Sequence, residues 1–135
     1  MVWYYSLSTL RAIGHVLHKV DAEKYSPEFS SQLNERYKRW KHEPIFKDFI
    51  NEERNKILKE YDSTVEPQEV KKTKALATSS GLLLATRSGN ILGATVTLRK
   101  FVKARGYRAG KSPVIVLSQA LEWWDCELKE MEKFI

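Results

Sequence analysis

The sequence predicts a mainly α-helical fold: an antiparallel bundle of about four helices with an inserted β-hairpin before the last helix. Apolar residues recur at three- and four-residue spacing over most of the chain, which is the period of helices with one buried face. A segment from about residue 80 to 101 is instead rich in Thr, Val, Leu and Gly, a composition typical of strands and turns. The length of 135 residues suits a single domain over 1–135.

Three helices are expected in the first 61 residues. Ser26 and Pro27 have the residue types preferred at a helix N-cap and first turn. Pro44 can open another helix, because the amide hydrogen that proline lacks would be unbonded in the first turn anyway. The predicted helices cover residues 3–21, 26–41 and 45–61.

A β-hairpin is predicted where the residue pattern changes. In "GLLLATRSGNILGATVTLRKF" the central "RSGN" is a turn sequence, and Ala94, Val96 and Leu98 alternate with polar residues. A continued helix is the alternative. The glycines at positions 81, 89 and 93 oppose it, since each costs about 1 kcal/mol relative to alanine in a helix.

The last helix is expected to begin at Ser112 and Pro113 and to be apolar on more than one face. One apolar stripe consists of Leu117, Leu121, Trp124, Leu128, Met131 and Ile135. A second stripe consists of Val116, Ala120, Trp123 and Phe134. Such a helix packs on the bundle and on something else, either the hairpin or a second subunit.

Several classes of protein do not fit the sequence. No stretch has the ~20 apolar residues of a membrane span, and the start of the chain lacks the pattern of a signal peptide, so we expect a cytoplasmic protein without membrane contact. Cys126 is the only cysteine, which excludes an internal disulfide. The segment "GYRAGKS" lacks the glycine spacing of a phosphate-binding loop, and His15 and His18 have no third ligand. No cofactor or metal is therefore expected.

The positive charge is concentrated in the middle of the chain. Between Val70 and Lys111 there are ten basic residues and no acidic one, although the net charge of the whole chain is +6. Such a segment suits the phosphates of RNA or an acidic protein partner. The alternative is a solvated surface that keeps the protein soluble. The candidate binding residues in this segment are Arg99, Lys100, Lys103, Arg105 and Arg108.

Arg54 lies on the apolar face of the predicted third helix. At about 100° per residue it falls roughly 40° from Ile50, on the side that also holds Phe46, Ile57 and Tyr61. A guanidinium keeps its charge when buried, so it requires an acidic partner, a water-filled cleft or a bound anion. Arg54 therefore marks a candidate site, and a core ion pair or a contact with Tyr61 is the purely structural alternative.

The helix around Arg54 resembles a known family. The stretch "FINEERNKILKEYD" is similar to the signature helix of the HEPN superfamily, small helical domains of prokaryotic defence and toxin systems. One branch of that family has R-x4-H-x-Y; here Arg54, Asn55 and Tyr61 match, and Lys59 stands in place of the histidine. The resemblance implies a homodimer whose signature helices face each other across a cleft. It also implies metal-independent RNA cleavage in active members, whereas the hairpin departs from the family's plain bundle.

Lys59 is the main departure from the motif. Histidine exchanges protons near neutral pH, whereas lysine holds its proton there, and Lys59 falls on the outer face of the helix. Arg54, Lys59 and Tyr61 are thus catalytic candidates only, and we expect a non-catalytic dimer. Its ligand-binding residues would be Arg54, Asn55 and Tyr61 together with the basic set.

Two alternative functions stay open. The first is an active ribonuclease in which Lys59, His18 or His42 replaces the missing histidine. The second is a small scaffold or interaction protein with no role in nucleic-acid binding.

Overall fold

A computed structural model describes residues 2–135 and confirms the mainly α-helical fold with a hairpin before the last helix. The helical elements are α1 (Val2–Lys19), a short 3-10 turn (Asp21–Glu23), α2 (Pro27–Trp40), a π-helical segment (Ile45–Glu53), α3 (Arg54–Glu60) and α4 (Pro113–Glu132). The strands are β1 (Val65–Ala75) and β2 (Gly93–Lys103). The chain divides into two compact units, the hairpin unit (Pro67–Phe101) and the helical unit formed by the other described residues.

The start of α2 forms as the sequence predicts. The Ser26 hydroxyl accepts a hydrogen bond from the backbone N–H of Phe29 at 3.1 Å, and Pro27 occupies the first turn. This bond satisfies one of the amides that a helix start leaves free. Phe29 and Leu33 are buried on the inner face of α2.

The third predicted helix is not one continuous α-helix. Its first nine residues are π-helical, and only Arg54–Glu60 is α-helical. The buried residues of the π-helical segment are Phe46, Phe49, Ile50 and Glu53. Because the π turns are wider than α turns, the buried face differs from the one predicted, and Arg54 lies at its flank, half-buried.

Aromatic rings form the centre of the helical unit. The ring centroids of Trp40 and Trp124 lie 5.1 Å apart in an edge-to-face arrangement, and Phe46 packs 6.0 Å from Trp124. Gly14 lets α1 approach these rings, since a Cβ atom at this position would lie 3.0 Å from Cη2 of Trp124. Four helical elements, α1, α2, the π-helical segment and α4, therefore meet at one aromatic cluster.

A nearly buried carboxylate joins α2 to α4. Glu127 accepts hydrogen bonds from Arg36 at 3.0 Å, from Arg39 at 2.6 Å and from the indole N–H of Trp40 at 2.8 Å. Its exposed fraction is 9%. Charge-assisted bonds of this kind are stronger than neutral ones, so Glu127 connects the two helices.

Both apolar stripes predicted for α4 contribute to the core. Val116 and Ala120 of one stripe and Trp124 and Met131 of the other are buried. Leu121 is 57% exposed. The prediction that α4 has apolar surface beyond its core face is therefore confirmed.

The hairpin is longer than predicted. The first strand begins at Val65, whereas the sequence predicts a hairpin from about residue 80. The part before residue 80 was missed because lysines interrupt the apolar alternation of β1. Thr73 and Thr95 face each other, with their hydroxyl oxygens 3.2 Å apart, and Arg99 faces Glu69 at 3.4 Å. These contacts fix the register of the two strands.

The tip of the hairpin is a junction of three antiparallel pairs. The β1–β2 pair meets two smaller hairpins, whose bridges join Ala77 to Leu83 and Ala85 to Ile91. Residues 76–83 (LATSSGLL) and 84–91 (LATRSGNI) are two copies of an eight-residue repeat. Sequence reasoning missed this repeat, although it is visible in the residue pattern.

Three leucines close the junction. The N–H of Leu84 donates to the carbonyl of Leu76, that of Leu92 to Leu84, and that of Leu76 to Leu92, each at 2.8 Å. These bonds form a closed ring, which we call the three-leucine junction. Both repeats also form the same loop, in which a threonine hydroxyl accepts an N–H at 3.1 Å and glycine has a φ of 86°. The two repeats therefore have the same backbone conformation.

Candidate functional site

Arg54 has no acidic partner among residues 2–135. Its Nη1 donates to the side-chain oxygen of the neighbouring Asn55 at 3.1 Å. Its Nε is buried and has no hydrogen-bond partner in the described part of the chain. A half-buried guanidinium in this state retains capacity to bind an anion or water. The sequence left open an ion pair, a water-filled cleft or a bound anion for Arg54. Within the described residues the structure shows no such ion pair.

The structure separates the other motif residues. Asn55 lies beside Arg54, but Lys59 is exposed on the outer face, as predicted. Tyr61 does not share the face of Arg54, and that prediction is wrong. The chain leaves the helix at Tyr61, which has a left-handed backbone with φ of 53° and a 92% exposed side chain.

A second half-buried arginine, Arg11 of α1, was missed from the sequence. Its Nε donates to the side-chain oxygen of Asn51 at 3.2 Å, and its Nη2 donates to the Tyr37 hydroxyl at 3.3 Å. Its guanidinium carbon lies 5.5 Å from the centre of the Phe46 ring. Arg11 follows the buried Leu7 by four residues, so the helical spacing places Arg11 beside the buried face of α1.

Lys103 is not a surface residue, contrary to its prediction as a ligand-binding cation. It is completely buried, and its ammonium group forms an ion pair with the buried carboxylate of Glu53. The ammonium nitrogen also lies 5.1 Å from the centre of the Phe49 ring and 5.6 Å from that of Trp3. Burial lowers the pKa of Lys103 below its ordinary value, and the hydrogen bond and charge of Glu53 oppose that effect.

The carboxylate of Glu53 has two further donors. The Thr64 hydroxyl donates to it at 2.8 Å, and the backbone N–H of Tyr107 donates at 3.1 Å. Gly106 permits this approach, because a Cβ atom there would lie 2.8 Å from the carboxylate, and its φ of 79° favours glycine. The pair Glu53–Lys103 therefore anchors the start of the basic loop to the π-helical segment.

Two more of the predicted cations are engaged with carboxylates. Arg105 forms a bidentate ion pair with Asp62, in which Nη2 donates to Oδ1 at 2.8 Å and Nη1 donates to Oδ2 at 3.2 Å. Arg99 lies 3.4 Å from Glu69. Arg108 stacks against the neighbouring Tyr107 ring, 5.6 Å from its centre. Of the predicted basic set, Lys100 is exposed and makes no ion pair within residues 2–135.

Besides Arg99, the hairpin unit carries five exposed cations, and it has almost no negative charge. Its only acidic residue is Glu69, which faces Arg99. The remaining basic residues of this unit are exposed and make no ion pair with the described residues. They are Lys71, Lys72, Lys74, Arg87 and Lys100. The basic surface is therefore carried by the hairpin rather than by the loop of residues 104–111.

Comparison of the chain with protein-family models, with curated proteins and with solved structures gives no match. Within residues 2–135, no group of three or more His, Cys, Asp and Glu side chains could hold a metal ion. No helix in the same range is long and apolar enough to cross a membrane. The interpretation of function therefore depends on the site geometry and on the motif around Arg54.

Proposed function

We propose that this chain is a HEPN-like domain without nuclease activity that forms a homodimer and binds RNA through the hairpin. The observation that carries the proposal is the set of exposed, unpaired cations on a hairpin with a single carboxylate. Phosphate contacts supply most of the sequence-independent affinity for nucleic acids. An acidic protein partner would use the same cations.

The hairpin has a polar face suited to phosphate contacts. The register places Lys71 and Thr73 of β1 on the same side as Thr95 and Thr97 of β2, since side chains alternate along a strand. Lysine and threonine both donate to phosphate oxygens. By the same alternation Lys72, Lys74 and Lys100 lie on the opposite face. We therefore expect the RNA backbone to contact cations on both faces of the hairpin.

Arg54 supports the HEPN-like interpretation of the helical unit. Its unpaired, half-buried guanidinium is what an anion-binding cleft residue requires. The side-chain oxygen of Asn55 accepts one hydrogen bond from this guanidinium. The chain keeps this arginine but has a lysine, exposed to solvent, at the position of the histidine.

An apolar groove between α1 and α4 supports the homodimer. The groove has a volume of about 420 Å³ and is lined by residues that include Tyr5, Ile13, Leu117 and Leu121. Tyr5 is 59% exposed and Leu121 is 57% exposed. Exposed apolar surfaces of this kind mark interaction sites, so the groove is the surface we assign to the second copy.

RNA binding is expected to depend on salt and on the hairpin cations. Wild-type affinity for a single-stranded RNA should fall with salt with a log–log slope of about −2 to −4, given about 0.7 per phosphate neutralised. Charge reversal at Lys71, Lys74 and Lys100 should flatten that slope and weaken binding about tenfold or more at low salt. Fluorescence anisotropy over a salt series measures both quantities.

A matched variant tests whether position rather than net charge matters. Lys19, Lys24 and Lys38 of the helical unit are also exposed and make no ion pair among the described residues. Their reversal to glutamate changes the net charge equally and should leave most of the affinity intact. Equal effects of the two triple variants, or no binding by the wild type, would reject the hairpin as the RNA-binding surface and favour the scaffold alternative.

The purified protein is expected not to cleave RNA. The chain has imidazoles only at His15, His18 and His42, and none lies in the Arg54 motif, so the motif lacks the residue type that most often transfers protons in catalysis. Incubation of labelled RNA in EDTA, followed by gel analysis, measures the activity. Cleavage that disappears in a folded Arg54→Ala variant would establish the ribonuclease alternative, and His18→Ala and His42→Ala would then identify the acid–base group.

A further inference from the structure

Arg11 and Arg54 are both neighbours of Asn51. Nε of Arg11, on α1, donates to the side-chain oxygen of Asn51 at 3.2 Å. Arg54 follows Asn51 by three residues, and its backbone N–H donates to the Asn51 carbonyl. Residues three apart on a helix are adjacent on its surface, and α1 packs against both the π-helical segment and α3. Two half-buried arginines of different elements therefore meet at one asparagine.

No carboxylate within residues 2–135 balances these two guanidinium charges. The side-chain partners of Arg11 and Arg54 are neutral. The acidic residues just before Arg54 are engaged elsewhere, since Glu52 pairs with Lys56 at 3.3 Å and Glu53 pairs with the buried Lys103. Like charges that are partly removed from water repel each other and lose hydration. A bound anion would remove this cost.

The free hydrogen-bonding capacity around the two arginines consists of donors. A guanidinium has no acceptor, so the side-chain oxygens of Asn51 and Asn55 face Arg11 and Arg54, and their amide nitrogens point elsewhere. These two nitrogens and Nη2 of Arg54 make no hydrogen bond with residues 2–135, and none of the three is enclosed without a partner. Three solvent-facing donor nitrogens with no competing acceptor are the complement of an anion.

Tyr37 and Lys41 add to the positive environment of Arg11. Nη2 of Arg11 donates to the Tyr37 hydroxyl at 3.3 Å. The ammonium nitrogen of Lys41 lies 4.9 Å from the centre of the Tyr37 ring and makes no ion pair with the described residues. Three cations are therefore linked through Tyr37 and Asn51 without a carboxylate between them.

We propose that Arg54, Asn51 and Asn55 bind a phosphomonoester group, and that Arg11 positions the Asn51 amide and adds positive charge. Such a group carries nearly two negative charges near neutral pH and three acceptor oxygens. These match two arginines and three free donor nitrogens better than the single charge of a carboxylate or of a phosphodiester does. Inorganic phosphate and the terminal phosphate of an RNA share this chemistry.

This site extends the anion-binding role that the proposed function gives to Arg54, and it rests on that role. It depends on neither the hairpin nor a second copy of the chain. All five side chains belong to the helical unit, and they are Arg11, Tyr37, Asn51, Arg54 and Asn55.

Calorimetric titration of the full chain with inorganic phosphate at constant ionic strength tests the site. The wild type should bind one phosphate per chain with a Kd of about 1 mM or lower. Asn55→Asp should weaken binding about tenfold or more, because the new carboxylate still accepts from Arg54 but replaces a donor with a negative charge. This variant is isosteric and gives Arg54 an ion pair, so its helical circular dichroism should be that of the wild type.

Lys38→Gln is the control, because it removes an exposed cation of the helical unit that makes no ion pair with the described residues. It should bind phosphate like the wild type. The proposal is overturned if the wild type shows no saturable binding up to about 10 mM phosphate. Equal losses in Asn55→Asp and Lys38→Gln would also overturn it.

Two variants of Arg11 test its positioning role. Arg11→Gln removes the charge and frees the Asn51 amide to turn over, so phosphate binding should weaken about tenfold. Arg11→Lys keeps a charged donor and should restore part of the affinity. A role in stability alone predicts lower unfolding midpoints with unchanged phosphate affinity in both folded variants, and that result would overturn the role of Arg11.

Two RNAs of one sequence, with a 5′-phosphate or a 5′-hydroxyl, identify the source of the group. A preference for the phosphorylated end that Asn55→Asp abolishes supports the site and assigns it to RNA ends. Equal affinity for the two RNAs, with inorganic phosphate still bound, supports it and assigns it to a free phosphate compound.

The hairpin variant with Lys71, Lys74 and Lys100 reversed separates this site from the proposed function. It should retain phosphate binding whether or not the hairpin binds RNA. Wild-type protein that binds phosphate but no RNA would reject the proposed function and leave the site supported. Loss of phosphate binding in the hairpin variant would assign the phosphate to the hairpin and overturn the site.

Discussion

Replacing Lys103 with methionine is expected to lower the free energy of unfolding by about 3–5 kcal/mol, the typical cost of removing one partner of a buried ion pair. The change leaves the Glu53 carboxylate buried with only the Thr64 hydroxyl and the Tyr107 N–H as donors. The methionine fills similar volume, so the loss comes from the uncompensated charge rather than from a cavity. Urea unfolding followed by helical circular dichroism measures it.

The double variant Glu53→Gln with Lys103→Met separates the effect of the uncompensated charge from the effect of altered packing. The glutamine oxygen still accepts from Thr64 and Tyr107, and no buried charge remains, so most of the lost stability should return. Lys129→Met provides a control, because its ion pair with Asp125 is exposed to solvent and should contribute little to the stability. If the double variant is no more stable than the single one, the ion pair is not the cause of the loss.

Replacing Glu127 with alanine should destabilise the helical unit by about 2–4 kcal/mol, because buried donors then lose their charged acceptor. The indole N–H of Trp40 would be left unpaired in the core, and the half-buried Arg36 would lose its closest carboxylate. The contact between α2 and α4 depends on both bonds. Thermal and urea unfolding of the two proteins measure the difference.

Glu122→Ala is the matched control for Glu127. Both residues are in α4, but Glu122 is exposed and makes no ion pair within residues 2–135. Its replacement should change the stability by no more than about 0.5 kcal/mol. Similar losses for the two variants would mean that helix propensity, rather than the buried network, determines the effect.

The helices were predictable because each follows from short-range rules. Ser26 and Pro27 mark the start of α2, and the apolar spacing marks its buried face. The π-helical segment was not predictable, since a wheel drawn at the α-helical angle assumes uniform turns. That assumption placed Arg54 and Tyr61 too near the centre of the buried face.

The candidate site was predictable only in part. Arg54 and Asn55 do lie together, and the basic residues of the hairpin are exposed. Lys103 was assigned to the surface because charge counting treats every lysine as solvated. Its partner Glu53 is 50 residues away in sequence, and no local pattern indicates a contact over such a separation.

The three-leucine junction has a consequence for how the length of this chain can vary. Removal of residues 84–91 would join Leu83 directly to Leu92, and the bridge between Ala77 and Leu83 would then continue the ladder in which Leu76 bonds to Leu92. The product is an ordinary hairpin in the same register. Deletion or duplication of a whole octad therefore preserves the direction of every side chain in β1 and β2, whereas loss of a single residue would invert one strand. Whole-octad insertions and deletions are the changes of length that this tip accommodates.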